Sequence, residues 1–344
     1  MQNELTQSSA LLQTNGHLAQ VGWSRHPMLD CNLENAHFYS LRFLQRFRIK
    51  RWDYYAVFTP ERFFSATIAD LGYAGNIFVY TIDFGSGELI ENSMIVPLGK
   101  GIFLPRNSTT GKSLFTNNRV SLQFSVLDDH RHLSVDWENF HNGENLEAEI
   151  TLKTKPADES MNIVIPIGNN RFYYNRKINC MPASGKITFG NQTEFLEPET
   201  SIGSLDWGRG VWEYQSFWNW ASASGYLPDG STIGLNFGHG FGDLSQAGEN
   251  AIIMDNRIHK LDTVRFDYDQ KDFMQPWHFS DNENRLDLKF IPIKERMAES
   301  NLGIITSEVH QLFGHYNGYA IADDGERIEI VNLLGFAEEH HARW

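Results

Sequence analysis

Leu205-Asp206-Trp207-Gly208-Arg209-Gly210-Val211-Trp212-Glu213-Tyr214-Gln215-Ser216-Phe217-Trp218-Asn219-Trp220 is the stretch on which the reading of this chain turns. It holds four of the chain's nine tryptophans. After the glycine turn, Trp212, Tyr214, Trp218 and Trp220 fall on one face of a regular strand, with Glu213 and Phe217 on the other. Such a ribbon lines either a core or a ligand cavity. Charged groups among indoles are costly unless paired or used, which marks Asp206 and Arg209 as candidate site residues. If their side chains meet, Asp206 is a structural anion. If the aromatic shell dominates, burial holds it protonated as an acid.

The same two-residue rhythm runs along the chain. Residues 121–127, 147–153, 161–167, 285–291 and 327–331 are short, alternating and rich in β-branched or aromatic side chains. Gly85-Ser-Gly87, Asn142-Gly143, Pro228-Asp-Gly230 and Asp324-Gly325 supply the turns between such runs. The pattern predicts an all-β protein, a sandwich or an up-and-down barrel. One short helix is expected between Asn32 and Arg48, and residues 1–30 are expected to form a loose polar lead-in.

The two halves match each other in order. Arg51-Trp52, seven residues, then Pro60-Glu61 parallels Asn219-Trp220, seven residues, then Pro228-Asp229. Arg131 with its strand parallels Arg285, and Tyr174-Asn175 parallels Tyr316-Asn317. A tandem duplication follows, with a first β domain over 31–199 and a second over 200–344.

Across the 344 residues, 41% are hydrophobic and 21% charged, the balance of a globular protein. A formal charge of −14 argues against nucleic acid as a partner. Cys31 and Cys180 form neither a disulfide framework nor a zinc spacing, and no stretch has the length of a membrane span. A cytoplasmic protein is expected, with no metal and no cofactor fingerprint.

The C-terminal Glu338-Glu339-His340-His341-Ala342-Arg343-Trp344 is a second concentration of ionisable groups. Strand alternation sends Glu338 and His340 to one face, a candidate acid–base pair, and Glu339 and His341 to the other. His239, in Gly238-His239-Gly240-Phe241-Gly242, sits either beside a ligand or at a barrel bend.

Tyr173-Tyr174-Asn175-Arg176, residues 183–189, Leu205-Asp206-Trp207-Gly208, Trp220 and Pro228-Asp229-Gly230 resemble the junction of the AttH-like proteins. That group includes carotenoid hydratase (hydroxyneurosporene synthase) and lipocalin-like Diels–Alderases. Residues 206–212, 51–55 and 338–344 are more closely similar to a bacterial family of unknown function in that group, with an Asp-Trp-Gly-Arg-Gly-x-Trp signature. The resemblance implies a tandem pair of calycin-like barrels or half-barrels. It implies a cofactor-independent enzyme acting on an apolar or amphipathic small molecule, by proton transfer at a carbon–carbon double bond. On that reading Asp206, Arg209, Glu338 and His340 are the catalytic candidates. Trp207, Trp212, Glu213, Trp218, Asn219, Trp220 and His239 are the ligand-binding candidates. A carrier without chemistry, or a carbohydrate-active enzyme using Asp206 and Glu338 as its carboxyl pair, stands beside it.

Overall fold

A computed structural model of the chain describes residues 2–301 and 305–344. It is built almost wholly of antiparallel strands, which curl into two half-barrel sheets. Along the first run Leu89–Pro97, Ala74–Asp83, Arg62–Asp70, Lys50–Phe58, Ile202–Val211, Phe172–Phe189, Glu144–Lys153, His130–His141, Val120–Val126 and Gly111–Thr116. Along the second run Arg257–Lys260, Ala251–Met254, Thr232–His239, Gln215–Tyr226, Arg327–Arg343, Thr306–Ile321, Leu286–Asn301, Trp277–Asp281 and Val264–Asp267. The fold is a tandem pair of calycin-like half-barrels.

Both sheets follow one plan. Three hairpin-linked strands run outward from a central strand (Lys50–Phe58, or Gln215–Tyr226), and the later strands return to its other side. The matched Trp-to-Pro segments are therefore the opening hairpins of the two sheets. Tyr174 and Tyr316 break the expected correspondence. Tyr174 lies on the last returning strand of the first sheet, and Tyr316 on the last but one of the second.

The first sheet has an extra strand, Ile202–Val211, slotted between Lys50–Phe58 and Phe172–Phe189. The change of sheet thus falls between Val211 and Gln215, one strand later than the expected boundary at residue 200. All ten residues of this strand are buried, because it is covered on both faces. Gly208 is required there: a Cβ would come within 2.2 Å of the Trp52 ring, which lies across the strand.

Three cores follow from this arrangement. One fills the first half-barrel around Trp137, Phe124 and Trp207. One fills the second around Trp277, Phe279 and Tyr316. The third joins the two sheets, packing Phe58, Phe63 and Tyr80 of the first against Phe313 and Phe336 of the second. Alternation explains the division, since each strand turns every second side chain into its own half-barrel and the others toward the neighbouring sheet.

The N-terminal residues are not a loose lead-in. Leu5, Leu11 and Leu12 are buried in the first core, and Gly22–Ser24 pairs with Met161–Pro166. Nor is there an α-helix between Asn32 and Arg48, only short 3-10 turns at Leu33–Asn35 and Arg42–Phe47. Leu41 and Leu44, two of the apolar residues whose spacing suggests that helix, stay exposed and have no core to face. No helix among the described residues is long and apolar enough to cross a membrane.

Candidate functional site

A cavity of about 560 Å³ opens between the two sheets, within the range that holds small organic ligands. The first sheet lines it with Trp52, Tyr54, Phe78, Tyr80, Lys177 and Asp206. The second contributes Trp218, Trp220, Arg296, Gln311, Glu338 and His340. Trp212, Phe241 and Trp344 close one end, with the Trp212 ring centroid 5.3 Å from Phe241 and 6.2 Å from Trp344.

Asp206 faces this cavity, but it does not meet Arg209. Residues 206 and 209 differ by an odd number along a regular strand and point to opposite faces. Arg209 turns into the first half-barrel, where it pairs with Asp53 at 2.9 Å and donates to the backbone oxygens of Trp52, Gly208 and Pro105. Trp207 goes with it, its ring 4.2 Å from the guanidinium. Both belong to the core rather than to the cavity. Glu213 also lies outside, with most of its side chain in solvent and Arg171 at 3.7 Å.

The partner of Asp206 is Lys177, whose Nζ lies 2.9 Å from the carboxylate. Asn175 donates to the other oxygen at 2.6 Å. The same ammonium reaches Glu249 at 3.5 Å and lies 3.6 Å from the Trp220 ring centroid. Strand pairing explains the contact, since Lys177 and Asp206 are register partners on neighbouring strands. A bulge follows at once: Cys180 takes a φ of +61°, and the register shifts between Ile178 and Met181. There Asn179 donates to Ser222 and Ser224 of the second sheet, fixing the sheets against each other. Asp206 is thus held by Lys177 and Asn175.

Glu338 is held differently. Its Oε1 accepts a hydrogen bond from Trp218 Nε1 at 3.1 Å, and among the described residues no Lys or Arg lies within ion-pair distance. Burial pushes its carboxyl up to about 7, against the Trp218 hydrogen bond and the attraction of Lys177 and Arg296. His340, two residues on and on the same face, is pushed down to about 3 by burial, with His341 and Arg296 adding to the shift. Its Nδ1 lies 4.0 Å from Glu338 and its Nε2 2.9 Å from Ser307 Oγ. Glu338 and His340 line the cavity as strand alternation requires, while Glu339 turns away to accept from Tyr268.

Among the other candidates, Trp212, Trp218 and Trp220 form cavity wall, and His239 lies exposed at the mouth. Asn219 borders the cavity but turns its amide to Tyr268 and to the Glu338 backbone. Sequence reasoning missed Lys177, Glu249, Arg296 and Gln311, which come from four separate strands and loops. For Arg209, strand parity alone was signal enough to separate it from Asp206. Among the described residues no three His, Cys, Asp or Glu side chains converge as a metal-binding set would.

Fold and site together define a double half-barrel protein with an aromatic cavity between its two sheets. The chain belongs to the family described as Domain of unknown function (DUF2804), whose model matches residues 2–344. Among solved structures it is similar to CghA with Sch210972, at TM-score 0.57 and 10% identity over 86% of this chain and 88% of that one. That likeness is one of fold. Kievitone hydratase from Nectria haematococca aligns at TM-score 0.47 and 10% identity, over 86% and 88% of the two chains. A putative AttH from Nitrosomonas europaea aligns at 0.42 and 15%, over 86% and 93%. Comparison with curated proteins finds no match.

Proposed function

We propose that this protein is a cofactor-independent enzyme that moves a proton at a carbon–carbon double bond of an apolar or amphipathic small molecule, in a hydration, isomerisation or cyclisation. The observation that carries the reading is Glu338. It is a buried carboxyl with no Lys or Arg partner among the described residues, with a proton affinity near neutrality, facing a cavity walled by aromatic rings. Such a group can deliver and recover a proton at pH 7. The indole and phenol rings around it supply an apolar wall that packs against the ligand and excludes water. Asp206 is charge-paired and serves to hold Lys177 and the wall in place, so the role first read for Asp206 passes to Glu338. The two free, buried cysteines suit a reducing compartment, and we read the location as cytoplasmic.

The test is incubation with a cell extract in deuterated water, followed by mass spectrometry of the small molecules. Wild type should place deuterium on a product carbon. Glu338→Gln should slow this by about a hundredfold to ten-thousandfold, the usual effect of losing a general acid. A co-purifying ligand that wild type never labels or converts would make the protein a carrier. Equal labelling by wild type and Glu338→Gln would remove Glu338 from the chemistry.

A further inference from the structure

The charges that face the cavity are already spoken for. Lys177 is held by Asp206 and Glu249 at 2.9 and 3.5 Å. Arg296 is gripped by both oxygens of Glu91 at 2.8 and 2.7 Å, with its guanidinium 4.2 Å from the Tyr80 ring centroid. Glu299 adds a further negative charge to the lining, and His239 lies at the mouth. Lys50 is close by but does not line the cavity. It sits behind the end wall, 4.7 Å from the Trp344 ring centroid and 5.8 Å from that of Trp212, and burial pushes it down to about 7. A carboxylate, sulfonate or phosphate entering here would lose its water and meet no unneutralised lining cation among the described residues, which is strongly unfavourable.

Several uncharged donors of the lining have no partner among the described residues, Trp212 Nε1, Trp344 Nε1 and Thr67 Oγ1 included; the Gln311 amide is distinguished by standing beside Glu338. Tyr54 and Tyr80 hydroxyls lie 3.0 Å apart, and Tyr80 donates to Gln311 Oε1 at 2.8 Å. That bond fixes the carbonyl end of the Gln311 amide toward Tyr80 and leaves its NH2 group to serve the cavity. Gln311 is the register partner of Glu338 on the neighbouring strand, so the two side chains stand side by side on one face.

We propose that the ligand is an uncharged, ring-bearing conjugated carbonyl compound whose carbonyl oxygen accepts from Gln311 Nε2 beside Glu338, and that the cavity rejects anions. This rests on the reaction class given above. In a hydration, the water oxygen bonds to the β carbon as the π bond opens. The Glu338 proton goes to the α carbon, and a proton of the water returns to Glu338. Gln311 holds the negative charge that gathers on the carbonyl oxygen.

The test needs no substrate. Prodan, an uncharged naphthyl ketone whose emission reports hydrogen bonding to its carbonyl, is compared with 8-anilino-1-naphthalenesulfonate, an anion of similar bulk. Binding is followed by quenching of tryptophan emission. Prodan should bind, and the sulfonate should bind at least about tenfold more weakly, the least expected from an unpaired buried charge. Gln311→Met should blue-shift bound prodan and weaken it about threefold to tenfold, the worth of one hydrogen bond. The sulfonate binding as tightly as prodan, no prodan binding, or unchanged prodan emission and affinity in Gln311→Met would each overturn the proposal. The first comparison uses wild type alone, so it stands even if the variant folds poorly. Probe selectivity does not read Glu338 chemistry. Lost selectivity would overturn the ligand class and leave the reaction standing, while absent deuterium transfer with selectivity intact would do the reverse.

Discussion

Asp206 and Glu338 line the same cavity from opposite sheets, both almost fully buried, yet their surroundings differ in kind. Asp206 has an ammonium at 2.9 Å and an amide donor at 2.6 Å. Glu338 has an indole N–H and, among the described residues, no Lys or Arg within ion-pair distance. Burial alone therefore does not make a carboxyl group an acid. What decides is whether the neighbouring strand supplies a cation at the register position opposite. Phe172–Phe189 places Lys177 opposite Asp206, while Thr306–Ile321 places the neutral Gln311 opposite Glu338.

The largest effect that would break this contrast comes from Lys177. Lys177→Met should strand Asp206 and Glu249 without their cation and lower stability by roughly 3–5 kcal/mol, measured by denaturant unfolding. Stability within 1 kcal/mol of wild type, about the worth of an exposed pair, would mean that the pair holds nothing together.

A smaller effect, of opposite sense, belongs to Glu338. Its folded-state proton affinity is raised from 4.5 to about 7, so the folded chain keeps a proton that the unfolded chain releases in that interval. Stability from this group is intact below about pH 4.5, falls as pH rises to about 7, and is flat above. His340 acts the other way: its depressed affinity makes stability rise with pH between about 3 and 6.5. Subtracting Glu338→Gln from wild type isolates the first. The variant should gain on wild type between pH 4.5 and 7, by on the order of a few kcal/mol. A pH-independent difference would show that Glu338 ionises freely in the folded protein.

The smallest effect sharpens the sequence argument itself. Asp206→Asn and Arg209→Met act on opposite faces of one strand and share no partner. Their stability effects should add to within about 0.5 kcal/mol in a double-mutant cycle. Coupling well above that would restore the Asp206–Arg209 pair.

Much of the architecture was legible along the chain, because side-chain alternation and turn residues are local properties that a strand cannot escape. The repeated Trp-to-Pro hairpin identified the opening hairpin of each sheet, and the alternation of residues 338–341 put Glu338 and His340 on one face. Of the expected aromatic ribbon, Trp212, Trp218 and Trp220 line the cavity, but the chain leaves the strand between Val211 and Gln215 and Tyr214 is exposed. The extra strand was not legible. Ile202–Val211 reads as the start of a second unit, and only its pairing with Lys50–Phe58 and Phe172–Phe189 places it in the first sheet.

Partners belong to the tertiary structure alone. Lys177 lies 29 residues before Asp206 in a motif that names no charge pair, and Arg296 finds Glu91 across 205 residues. Sequence determines which side chains share a face of a strand, since that depends on parity. It does not determine which strand lies alongside, and a buried carboxyl takes its charge state from that neighbour. Hence the chain by itself announced two acidic candidates, and only the folded sheets decided that Asp206 is paired with Lys177 while burial raises the proton affinity of Glu338.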